Sequence, residues 1–135
     1  MSSEMENKFP LGFPQTNYTL DQLEDFHKGD PKVYHDGGAG ATMHSIEYFK
    51  KLKGKLGRIV EIRVSTDRDF TMEIFSDAGW VLLSGCNCGY GGTGPHGTIE
   101  ILRLLGFQNG GSDYEREVFT ERNVKIDCRD YHVYW

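Results

Sequence analysis

The chain has 135 residues, 38% of them hydrophobic and 26% charged, with a net charge of −5. This is long enough to bury one core without disulfides, and too acidic for general nucleic-acid binding. No apolar run approaches the ~20 residues that a membrane helix needs, so no membrane association is expected and a cytoplasmic protein is.

Residues 1–16 carry Pro10, Gly12 and Pro14 without a helical or alternating period, and are expected to form a flexible arm. Phe9, Leu11 and Phe13 alternate within it and could dock on the body or on a partner subunit. The remainder, 17–135, is expected to be a single α+β domain. Thr19 suits the N-cap of a short helix that places Leu20, Leu23 and Phe26 on one face and stops at Gly29 and Pro31. A first glycine-rich stretch follows, His35 to Thr42, and leads into a helix over Met43 to Lys53 with Ile46, Phe49 and Leu52 at helical spacing.

From Arg58 the period changes to two. Val60, Ile62 and Val64 alternate with polar residues, as do Phe70, Met72 and Ile74 after a polar turn. Trp80 to Ser84 completes an antiparallel meander of three strands. The next stretch, Ser84 to Gly106, is the one around which the chain is organised. Six glycines between Gly85 and Gly97 join the third strand to a helix marked by Ile99, Ile101, Leu102 and Leu105. Gly106 and Phe107 have the form of a helix stop. Glu115 to Thr120 and Asn123 to Cys128 are then expected to pair as a hairpin around Glu121 and Arg122, with a turn near Arg129 and Asp130. The whole is an α+β fold: an antiparallel sheet of about five strands with two or three helices.

A glycine-rich loop opening a helix exposes backbone N–H groups at the positive end of the helix dipole, which suits an anion. The loop is neither of the standard nucleotide motifs. Its glycines do not fall in Rossmann order after a parallel strand, and no Gly-Lys-Ser/Thr follows as in a Walker loop. The backbone of Gly91, Gly92, Thr93 and Gly94 would hold phosphate or carboxylate oxygens, helped by the hydroxyl of Thr98 and by Arg129. Tyr90 would stack on a ring of the ligand. His96 at the helix entrance would be a neutral donor or base.

Other chemistries use the same residues. His96 or His35 with the neighbouring Asp36 would serve a hydrolase or lyase. Cys86, Cys88, Cys128 and His132 are candidates for a Cys3His zinc site, although Cys86 and Cys88 are closer than a zinc knuckle requires. A cysteine nucleophile assisted by His96 is a further arrangement. An odd cysteine count with two thiols one residue apart is a poor disulfide framework and fits a reducing compartment. No cofactor motif is present. The aromatic end, Tyr131, Tyr134 and Trp135, is expected to be tied into the fold or into a subunit contact, so a homo-oligomer is anticipated.

The residues GYGGTGPHGTIEILRLLGF, Gly89 to Phe107, resemble small phage and bacterial proteins of host-defence conflict that sequester nucleotide immune signals. The resemblance implies a compact α+β oligomer that stores a cyclic ADP-ribose-type signal without chemistry. Sequestration of a small phosphorylated, nucleotide-like ligand is therefore the expected function, ahead of a small hydrolase or lyase and of a protein-interaction or immunity-type module.

Overall fold

The computed structural model of the protein describes residues 32–107 and 111–135. The expected arm and the helix after Thr19 lie outside the described residues. Eight elements follow in chain order: β1 (Lys32–His35), α1 (Thr42–Lys51), β2 (Ile59–Ser65), β3 (Met72–Ser76), β4 (Gly79–Leu83), α2 (Thr93–Leu104), α3 (Gly111–Thr120) and β5 (Asn123–Asp127). The strands form one sheet in the order β1-β4-β3-β2-β5.

The meander β2-β3-β4 is antiparallel as expected, with Ile62 opposite Ile74 and Ile74 opposite Val81. The edges differ from expectation in two ways. β1 pairs parallel to β4, with Val33 beside Trp80, so the sheet is mixed rather than antiparallel throughout. Four residues with two apolar side chains are too short for a period to announce a strand. On the other edge β5 pairs with β2, placing Val124 opposite Val64 and Ile126 opposite Ile62.

The expected hairpin over Glu115–Thr120 is corrected, because that stretch is the body of α3. Its Val-Phe-Thr run favours a strand locally, but Tyr114 and Val118 lie four apart and both join the core, the spacing of a helical face. Tertiary packing of that face against α2 overrides the local preference. Arg103 bonds Glu115 at 2.9 Å, and the His96 and Phe119 rings lie 4.9 Å apart.

One face of the sheet carries Ile62, Val64, Met72, Ile74, Val81, Leu83, Val124 and Ile126, packed with Ile46 and Phe49 of α1 and Ile101 and Leu102 of α2. The other face carries Val33, Phe75, Trp80 and Leu82, also buried, and with them the carboxyl side chain of Glu73. The alternation in β3 thus does not separate core from solvent, because every residue of the strand is buried. α2 ends at a left-handed Gly106, φ +103°, with Phe107 N–H donating back to Leu102 at 3.0 Å, the expected glycine stop. The turn after β5 is present, and Trp135 stacks on Phe49 at 4.7 Å while its ring N–H donates to Phe49 O at 2.9 Å. That tie into the fold was one of the two expectations for the aromatic end.

Candidate functional site

The carboxyl ends of β1 and β4 bring the two glycine-rich stretches side by side. Gly85 lies so close to α1's entrance that a Cβ there would stand 2.4 Å from Ala41 backbone atoms, so only glycine fits. Thr42 Oγ1 donates to Gly85 O at 2.6 Å. Asp36 sits between the stretches, 5% exposed. Its Oδ1 accepts Gly38 N–H at 3.1 Å and the Ser84 hydroxyl at 2.8 Å. Its Oδ2 accepts Ser84 N–H at 2.8 Å and the Ser45 hydroxyl. Each serine is itself an acceptor, Ser45 from Gly85 N–H and Ser84 from Gly40 N–H, both at 2.9 Å.

Asp36, expected beside His35 as a candidate base, has its carboxylate engaged by four donors, which fasten the two stretches together. His35 Nδ1 accepts Gly37 N–H at 3.1 Å, and its ring meets Phe70 edge-on at 6.0 Å. His44 Nε2 donates to Asp36 O at 3.0 Å. The same burial and the nearby Asp36 charge push the Tyr48 hydroxyl up to about 12.

Beyond Gly85 the loop is held from within. Thr71 Oγ1 donates to Cys86 O, Gly89 N–H donates to Val118 O at 2.8 Å, and Thr98 Oγ1 donates to Asn87 O at 2.7 Å. Thr98 is fully buried, so it braces the loop against α2 and does not face a ligand. Asn87 packs on Gly94, where a Cβ would stand 2.0 Å from its Oδ1, and its Nδ2 donates to the Tyr90 hydroxyl at 3.3 Å. The Tyr90 ring in turn lies over Gly92 and stays half exposed. These contacts present the first turn of α2, from Gly92, with no side chain capping it. Its amides lie beyond reach of the helix's own carbonyls.

His96 Nδ1 donates to Gly92 O at 2.8 Å, a tautomer that leaves Nε2 as the acceptor. The ring borders a cleft of about 350 Å³ lined by Ile99, Glu100, Arg103, Glu115 and Phe119. Tyr90, Gly91, Gly92, Thr93, Gly94 and His96 are thus gathered at one helix end, with Gly94 beneath Asn87 and Thr93 exposed.

Arg129 is not among them. It follows β5 at the end of the sheet where Asp127 pairs with Glu61, opposite the loop, and its guanidinium grips Asp127 at 2.6 and 2.9 Å. That grip lowers the Asp127 carboxyl to about 2. Cys128 and His132 share this far end, with Cys128 N–H on Val60 O, whereas Cys86 and Cys88 belong to the loop. The expected Cys3His set is therefore split across the sheet, and no described group of three His, Cys, Asp or Glu residues is placed to hold a metal. Burial drives the thiols up, Cys86 and Cys128 to about 12 and Cys88 to about 11, which is unfavourable to a thiolate nucleophile.

Residues that the sequence did not single out are Ser45, Ser84, Asn87 and Phe119. Ser84 had a signal, a hydroxyl directly beside a glycine-rich stretch; Ser45, three residues past the end of the other stretch, Asn87 and Phe119 had none. No described helix is long and apolar enough to cross a membrane. No protein-family model, curated protein or solved structure matches the chain.

Proposed function

We propose that the protein binds and holds a small phosphorylated, nucleotide-like ligand at the N-terminus of α2, without converting it. The observation that carries this reading is the uncapped first turn at Gly92 and Thr93, flanked by the half-exposed Tyr90 ring on one side and His96 on the other. Amide donors and the dipole suit a phosphate, and the ring suits a base. Binding is favoured over turnover by what the reactive groups already do. Asp36 is occupied by four donors, and the three thiols are buried and hard to ionise. Cyclic nucleotides and cyclic ADP-ribose derivatives are the ligand class to examine first.

The test is to incubate the protein with a panel of nucleotides and cyclic nucleotides, heat-denature it, and identify what is released by mass spectrometry. Intact ligand is expected. A chemically altered ligand would replace binding with catalysis, and no retention of any member would overturn the reading.

A further inference from the structure

A second cleft, of about 310 Å³, lies on the sheet face away from α1 and α2, at the same end as the glycine-rich loop. Alternation along β2 decides the face: Ile62 and Val64 point into the helix-packed core, so Arg63 and Ser65 point the other way. Register places Lys125 beside Arg63 and Asn123 beside Ser65, and Arg68 closes the cleft from the β2–β3 turn. Three cationic side chains and two neutral polar ones therefore surround one space.

Two carboxylates hold the cations in place. Arg63 Nε bonds Glu61, and Arg68 Nη1 bonds the buried Glu73 at 2.7 Å. Lys125 reaches Glu61 only at 3.9 Å and is well exposed. The lining of the cleft itself carries three cationic side chains and no carboxylate. The decisive detail is Ser65: it is 5% exposed, its hydroxyl oxygen is buried without a hydrogen-bond partner, and it lines this cleft. A buried hydroxyl with nothing to bond costs free energy that a bound acceptor would recover.

We infer that Arg63, Ser65, Arg68, Asn123 and Lys125 form a binding site for a small phosphate-bearing anion, separate from the α2 terminus. The guanidinium and ammonium groups supply charge, while the Ser65 hydroxyl and the Asn123 amide donate to the remaining oxygens. The phosphate could be free or belong to a small metabolite.

Calorimetric titration of the full chain with inorganic phosphate, and in parallel with glycerol phosphate, tests the site. Saturable binding is expected, tighter for the monoester if the ligand is a metabolite and tighter for inorganic phosphate if it is the free ion. Ser65→Ala should weaken binding about threefold, while raising the unfolding temperature without phosphate by removing the unpartnered hydroxyl. Lys125→Gln, at an exposed position, should weaken it by a similar factor. Arg68→Gln combined with Glu73→Gln, so that no buried carboxylate is left alone, should weaken it about tenfold or more. In a Gly92→Val background, where phosphate held at the α2 terminus is removed, the three sets of changes should weaken the remaining binding by the same factors. No saturable binding, or binding indifferent to all three sets of changes, or binding lost in Gly92→Val, would overturn the site.

Discussion

The carboxylate of Asp36 accepts the backbone N–H of Ser84 at 2.8 Å, joining two glycine-rich stretches that lie 48 residues apart in the chain. With Ser45 and Ser84 as relays, one acidic side chain sets the positions of both helix entrances. The loop at α2 is thus held at its root by a buried polar cluster and left open at its tip.

Asp36→Asn should therefore act on stability. The amide replaces one acceptor oxygen by a donor that faces other donors, at a cost of about 3 kcal/mol. Urea denaturation checks this. A variant as stable as the parent that had lost a ligand-converting activity would show that Asp36 works on ligand instead.

Glycine substitutions along the loop should separate root from tip. Gly85→Ala drives a Cβ into Ala41 backbone atoms that cannot swing aside, and should destabilise by about 3 kcal/mol. Gly91→Ala meets nothing within 4 Å and should be close to neutral. Gly92→Val meets the Tyr90 ring, which can rotate away, so it should cost about 1 kcal/mol while abolishing ligand retention. Thermal unfolding and the release assay measure the two effects separately; retained ligand in Gly92→Val would remove the α2 terminus as the cradle.

Glu73 should give stability a pH dependence of unusual sign. Burial raises its carboxyl to about 7, against the opposing pull of Arg68 and Arg63. The folded state then holds a proton that the unfolded chain releases near pH 4.5. This contribution is fully present below pH 4.5 and is lost as pH rises to about 7, on the order of 3 kcal/mol in total. Denaturation midpoints between pH 4.5 and 8 should fall accordingly, and Glu73→Gln should flatten the profile. An unchanged slope in Glu73→Gln would assign the dependence elsewhere.

The thiols should be silent in the folded protein. Cys86, Cys88 and Cys128 are all buried, and their raised ionisation leaves little thiolate at neutral pH. A disulfide reagent at pH 7 should label them only after denaturant is added. One fast-reacting thiol in the native state would reopen cysteine chemistry at the loop.

The parts of the fold legible in the sequence are those whose periodicity runs long enough to read. α1, the meander and α2 with its glycine stop each carry several apolar residues at one spacing, and each is found where expected. β1 is missed because it is short, and α3 is misread because its strand-forming residues occupy a helical face that only the contact with α2 reveals. The same limit applies to the site. Tyr90, Gly91, Gly92, Thr93, Gly94 and His96 are neighbours in sequence and remain neighbours in space. Arg129 and Thr98 are displaced by pairings invisible from local pattern, with Asp127 and with Asn87 O. The Arg68–Glu73 pair and the unpartnered Ser65 hydroxyl depend on register, which only the assembled sheet defines.

The order of the strands bears on the history of each folded molecule as well as its shape. The central meander closes only short turns and can assemble early, whereas the Asp36–Ser84 contact must wait for a loop of 48 residues to close. Interactions made after the rate-limiting step influence how slowly a protein comes apart more than how fast it forms. The polar fastener between the two glycine-rich stretches is therefore a determinant of native-state lifetime: weakening it should shorten the residence of the chain in its folded form while leaving its rate of arrival there almost untouched.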